Sequence, residues 1–180
     1  MGKKALMPLA NGFEEIEAVT IIDILRRAGV EVEIAGLGRY EVLGAHGVAI
    51  GAETTIEDAE SDNFDLIVLA GGHENAMSLA GDAATLRTLR KMRDDGKLIG
   101  AVCAAPIVLA QAGVISGDFT CYDGYEGGIE GAYKRERVVE SGNVITARGP
   151  GTAADFAFAL VTRLIGAEMT AQIKRAMYFD

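Results

Sequence analysis

The chain has 180 residues, a formal net charge of −9, and 49% hydrophobic against 24% charged residues, the balance of a soluble globular protein with enough length to fill one core. The acidic excess, with no run of Lys or Arg longer than two residues, argues against a nucleic-acid or anionic-membrane partner. Cys103 and Cys121 are the only cysteines and stand in no CxxC spacing, which argues against a disulfide scaffold or a structural zinc site and for reduced thiols in a cytoplasmic setting.

Lys4 to Leu9 reads as a first strand ending at the turn Asn11-Gly12. The apolar run from Ala5 to Ala10 is too short, and too soon followed by Glu14-Glu15, for a signal peptide. Leu6 breaks the myristoylation pattern after Gly2. From about Glu14 to Ala28, Ile16, Val19, Ile22, Ile24 and Leu25 follow a roughly helical spacing, with acids in the first turn and Arg26-Arg27 in the last. Val30 to Ala35 alternates as a strand, and Gly36 to Gly51 reads as a hairpin excursion.

Leu66 to Ala70 is a continuous apolar strand, as in a parallel sheet covered on both faces, and runs into Gly71-Gly72. Its length suits a strand and not a membrane span. A helix is predicted over about Ala83 to Asp95, then a buried strand from Leu98 to Val102 that delivers Cys103, then a helix from about Ala105 to Ala112. Shorter strands are predicted over Asp118 to Tyr122, Arg137 to Glu140 and Asn143 to Thr146, and helices over Thr152 to Leu164 and Glu168 to Met177. Strand and helix alternate without internal repeat or linker. The expectation is one α/β domain over residues 1–180: a doubly wound, mostly parallel, flavodoxin-like sheet with helices on both faces.

In such sheets ligands bind beyond the carboxyl ends of the strands, and three strand ends carry candidate chemistry. Gly100 to Pro106 puts Cys103 between small residues at a strand-to-helix junction, the pattern of a nucleophile elbow. Helix N-terminal amides there favour thiolate; the alternative is a small buried cysteine filling space. Glu17 sits among Ile16, Ala18 and Val19, where burial would raise its pKa and let a protonated carboxyl donate to a thiolate. Glu14 and Glu15 read simply as acids at a helix start.

Gly71-Gly72 allows an amide nest that, with the Ala104 amide, would form an oxyanion hole, although Gly-Gly also simply ends strands. Thr152 and Asp155 are spaced like a capping box, and Arg148 before them is a candidate anion or partner contact. His73 reads as a solvated loop residue beside the site, and His46 lies in the hairpin excursion with no assigned role. No His/Cys/Asp/Glu spacing suggests a metal.

The stretches Ala10 to Glu17, Asp65 to Gly72, Ala101 to Pro106 and Arg148 to Thr152 together resemble the ThiJ/PfpI superfamily, on the branch of the parkinsonism-associated protein DJ-one and its bacterial relatives. The resemblance implies that Cys103 is the nucleophilic, oxidation-prone cysteine and Glu17 its hydrogen-bonding partner. It implies that the amides of Gly72 and Ala104 face the reacting oxygen. It also implies a cytoplasmic homodimer without an organic cofactor.

The implied activity is a glutathione-independent, glyoxalase III-like cysteine hydro-lyase or deglycase acting on small reactive carbonyls, methylglyoxal to lactate. The alternative is a non-catalytic, redox-sensing, stress-protective or chaperone-like dimer. Two positions depart from relatives. Tyr122 stands where some members carry a proton-transferring histidine, and Ala104 stands where the protease branch has histidine, which argues against peptidase activity. His46 falls near a position often held by Arg, which implies a pH-sensitive anion site.

Overall fold

The computed structural model describes residues 2–179. In chain order the elements are β1 (Lys4–Leu9), α1 (Glu15–Arg27), β2 (Glu31–Gly36), β3 (Glu41–Leu43), β4 (Ala49–Gly51), β5 (Thr54–Thr55), β6 (Leu66–Leu69), α2 (His73–Gly81) and α3 (Ala83–Asp94). There follow β7 (Leu98–Val102), α4 (Pro106–Ala112), β8 (Asp118–Phe119), β9 (Ala132–Tyr133), β10 (Val138–Ser141), β11 (Val144–Ala147), α5 (Ala153–Leu164) and α6 (Ala167–Ala176).

The main sheet runs β10-β11-β7-β6-β1-β2-β5. All its pairings are parallel except β10 with β11. This is the expected doubly wound architecture. The strand period of two divides each central strand between two cores: Ala5, Met7, Leu9, Leu66 and Val68 face α1, α5 and α6, whereas Leu6, Ile67 and Leu69 face α2, α3 and α4. Each fully buried Leu, Ile or Phe contributes about 1.5–3 kcal/mol by leaving water, which is why β1, β6 and β7 form a rigid platform. The Gly36 to Gly51 excursion is the antiparallel hairpin β3–β4.

Three local expectations change. His73, expected in a loop, opens α2, a helix over residues 73–81 that the spacing does not predict. The strand expected over Asp118 to Tyr122 stops at Phe119 and pairs with β9. Thr120 instead gives its amide to the Thr146 hydroxyl at 2.9 Å, and Tyr122 gives its own to the Cys103 carbonyl at 2.9 Å. Thr152 does not cap α5. Its hydroxyl donates to the Gly149 carbonyl at 2.8 Å and accepts the Gly149 amide, while Asp155 pairs with Arg137.

Candidate active site

Adjacent strands β1, β6 and β7 end side by side, and each end contributes one wall of a small site. Cys103 follows β7 directly and holds a left-handed backbone, φ +64°, a conformation that costs a non-glycine residue about 1–3 kcal/mol. Its amide donates to the Ala147 carbonyl at 2.9 Å. Together with the Tyr122 amide on its carbonyl, this pins the turn from both sides. Pro106 at the first position of α4 sets the chain direction after the turn. The sulfur is left half-buried.

Glu14 caps α1 by accepting the Glu17 amide at 2.8 Å. That turn points Glu17 inward, where it is completely shielded from solvent. Its Oε2 accepts the Gly71 amide at 2.7 Å. Oε1 is buried without a hydrogen-bond partner, and the side-chain neighbour of the carboxyl is the Cys103 thiol.

Gly71 is needed for space. A Cβ there would lie 2.5 Å from the Cys103 Cβ and 2.6 Å from Glu17 Oε2. Its amide is committed to Glu17, so it does not serve the expected anion nest. The adjacent Gly72, at φ +91°, leaves no room for a side chain against the Gly12 carbonyl and the Glu14 amide. With Ala104 it turns its own amide to the sulfur.

These surroundings set the protonation of the pair. Burial pushes the Glu17 carboxyl up to about 7, against the Gly71 hydrogen bond that lowers it. Burial, and then the Glu17 charge and hydrogen bond, push the Cys103 thiol up to about 12, outweighing the Gly72 and Ala104 amides. The thiolate expected from the helix N-terminus is therefore not the outcome. The two groups titrate as a unit: they hold two protons below about 7, and one proton with one negative charge between about 7 and about 12. In that state Glu17 is a base in contact with the thiol proton.

The other sequence candidates scatter. Arg148 pairs with Asp123 and lines, with Tyr122, Arg137 and Thr152, a cavity of about 370 Å³ beside the site. Tyr122 is half exposed, with its ring against Gly149. His46 lies at the surface, its Nδ1 2.8 Å from the Glu15 carboxylate, which raises its pKa. Glu14 also brings a carboxylate oxygen within 4.8 Å of that pair. A ring facing two carboxylates is not the anion site that the resemblance implied. Cys121 is fully buried, and burial pushes its thiol up to about 11.

His73 opens α2, with its Nδ1 2.7 Å from the Tyr125 hydroxyl. Two residues escaped the sequence reading. Asn75, fully buried, accepts the Ala10 amide at 2.7 Å and donates to the Ala70 and Gly71 carbonyls at 2.9 and 3.1 Å, tying the ends of β1 and β6 together. Tyr125 packs edge-on against both His73 and Tyr122. Neither carries a sequence signal: Asn75 sits in a short helix start, and Tyr125 in a Gly-rich loop.

The sequence profile of the DJ-1/PfpI family matches residues 3–163. Protein dj-1beta of Drosophila melanogaster is 41% identical over 98% of this chain and 97% of its own. A Caenorhabditis elegans protein named glutathione-independent glyoxalase DJR-1.2 is 38% identical over 87% of this chain and 86% of its own. The crystal structure of Drosophila melanogaster DJ-1beta superposes with a TM-score of 0.96 at 36% identity, covering 100% of both chains.

Proposed function

Because this chain belongs to the DJ-1/PfpI family, we propose that it is a cysteine-dependent enzyme acting on small 2-oxoaldehydes, converting methylglyoxal to lactate without glutathione. The observation that carries this reading is the buried Glu17 carboxyl set against the Cys103 thiol, with the Gly72 and Ala104 amides turned to the same sulfur. A relative of similar length named as a glutathione-independent glyoxalase supports it.

Glu17 takes the thiol proton as the sulfur adds to the aldehyde carbon, and passes that proton on to the carbonyl oxygen, which becomes an alkoxide held by the Gly72 and Ala104 amides and then a hydroxyl, so Glu17 is ionised again. The ionised Glu17 then removes the remaining hydrogen of that carbon as a proton, giving an enediol, and returns it to the neighbouring carbon. The first carbon is left as a thioester. Water hydrolyses it, restoring the thiol and releasing lactate. The first carbon is oxidised and the second reduced within one molecule, so the reaction draws on no cofactor.

A homodimer in the cytoplasm is part of the same proposal. Lactate counted per active site with a chelator present tests the reaction. Accumulation well beyond one equivalent supports the enzyme. A plateau at one equivalent, with stable adducts on Cys103, overturns it in favour of a carbonyl scavenger or redox sensor.

A further inference from the structure

The enediol step leaves one proton unassigned. As Glu17 removes the carbon-bound proton, the oxygen on the second carbon must gain a proton, and the first carbon's hydroxyl must lose one when the thioester forms. The Gly72 and Ala104 amides can hold a negative oxygen but cannot give up a proton to it. Glu17 is occupied on the carbon face.

A hydrogen-bonded imidazole–phenol pair stands beside the site, tied to it through Gly72 on one side and Tyr122 on the other. His73 immediately follows Gly72, the residue whose amide faces the sulfur, and as the first residue of α2 it is fixed by the helix. Tyr125 closes a turn onto Tyr122, its amide donating to the Tyr122 carbonyl at 3.1 Å, and the Tyr122 amide in turn holds the Cys103 carbonyl. The 2.7 Å contact from His73 Nδ1 to the Tyr125 hydroxyl thus joins two walls that are each anchored to the Cys103 turn. The ring centroids of His73 and Tyr125 lie 6.0 Å apart, and those of Tyr122 and Tyr125 6.3 Å apart, both edge-on. This packing fixes the phenol plane.

We propose that Tyr125 is the oxygen acid–base of the site, and that His73 positions its hydroxyl. The step balances. The phenol proton passes to the oxygen of the second carbon as the enediol forms, leaving a transient phenolate held by the imidazole N–H. The phenolate recovers a proton from the first carbon's hydroxyl when the thioester carbonyl forms. Burial, and then charge on Cys103 or Tyr122 when either ionises, raises the Tyr125 pKa, in keeping with a phenol that lies near the sulfur and rests protonated.

This inference rests on the glyoxalase reading, and the test separates the two. Methylglyoxal turnover is measured for the purified wild type, Tyr125→Phe, His73→Ala and His73→Gln, with Cys103 alkylation by iodoacetamide as a control for an intact site. Tyr125→Phe should lower kcat about 10²-fold, with KM and the alkylation rate within about threefold of wild type. His73→Ala should also lower kcat, and His73→Gln, whose amide can hold the phenol, should restore it to within about threefold. Wild type stopping at one equivalent of lactate overturns the glyoxalase reading and this one together. A wild type that turns over, beside a Tyr125→Phe variant within twofold of it, overturns the role of Tyr125 alone. His73→Gln as impaired as His73→Ala overturns positioning as the role of His73. Loss of alkylation along with turnover in Tyr125→Phe assigns the phenol to the fold of the turn and overturns the proposal.

Discussion

Glu17 and Cys103 share one buried charge: the carboxyl is completely shielded, one of its oxygens has no hydrogen-bond partner, and the half-buried thiol is its side-chain neighbour. Each ionisation makes the other harder. The charge on Glu17 is one of the causes that push the thiol up to about 12. Removing that charge should therefore lower the thiol pKa and not raise it. In Glu17→Gln the burial of the sulfur and the Gly72 and Ala104 amides remain, while the repulsion is gone. Thiolate absorbance should have its midpoint at lower pH than in wild type, and alkylation of Cys103 at pH 8 should be faster by the order of tenfold. A midpoint unchanged or raised in the variant would show that the two groups do not sense one another.

The same carboxyl makes stability depend on pH. Glu17 has a folded-state pKa of about 7 against an ordinary value of 4.5. Between those values the folded protein keeps a proton that the unfolded chain releases, so stability falls as pH rises through the window. The full effect is about 3 kcal/mol. Glutamine mimics the protonated acid at all pH values. Urea unfolding should therefore find wild type and Glu17→Gln alike near pH 4, with the variant more stable by up to about 3 kcal/mol at pH 8. Parallel curves across that range would mean that Glu17 is not buried.

Exposure, more than pKa, separates the two cysteines. Burial raises both thiols, but Cys121 is fully buried in the core and Cys103 is half-buried at a strained turn. Mild peroxide followed by peptide mapping should place oxygen adducts on Cys103 first. Cys121 modified first would contradict its burial in the core.

The sequence marked the site where local chemistry decides the structure and failed where tertiary contacts do. β1, β6 and β7 are apolar runs that no other arrangement would bury, and a thiol flanked by small residues at the end of one of them is legible as a sharp turn. The phase of α1 was only partly legible: its buried face carries Glu17, Ile21, Ile24 and Leu25, whereas Ile16 and Val19, which the spacing assigned to that face, are exposed. α2 was missed because it is short and its first turn, His73-Glu74-Asn75, is polar. It forms because Asn75 is needed to bridge β1 and β6. Tyr125 lies in a loop with no periodicity, held by contacts to His73 and Tyr122 that sequence spacing does not encode. The sign of the Cys103 shift was misjudged because the pull of the amides can be inferred from a helix start, whereas the desolvation that outweighs it depends on packing.

An apolar set remains uncovered on one face. Ile16 and Val19 of α1 are 59% and 48% exposed, and Leu43 and Val48 of the neighbouring hairpin are 50% and 51% exposed. The hairpin is joined to α1 through the Phe13–Gly44 bridge and the Glu15–His46 pair. Burying this set against a second copy is the expected dimer contact. Light scattering at micromolar concentration should give twice the single-chain 18.9 kDa, and Ile16→Asp should shift the mass toward the monomer. A wild-type mass near 18.9 kDa would refute the dimer.

Turnover should follow the ionisation of Glu17. In the proposed reaction the carboxylate must accept the thiol proton before the sulfur can add, so protonated Glu17 is inactive and the rate rises with pH through about 7. Cys103→Ser loses the nucleophile. Glu17→Gln loses the base for both the thiol and the carbon-bound proton, and its faster alkylation does not compensate, because alkylation needs no return of a proton to carbon. Each variant should therefore fall by at least the 10²–10⁴-fold that one acid–base group supplies, and the double variant should fall no further, since the two residues act in one sequence of steps. The comparison that decides is alkylation against turnover in Glu17→Gln. Faster alkylation with lost turnover is the signature of a proton shuttle, whereas both rising together would make Glu17 a brake on the thiol and remove it from the chemistry.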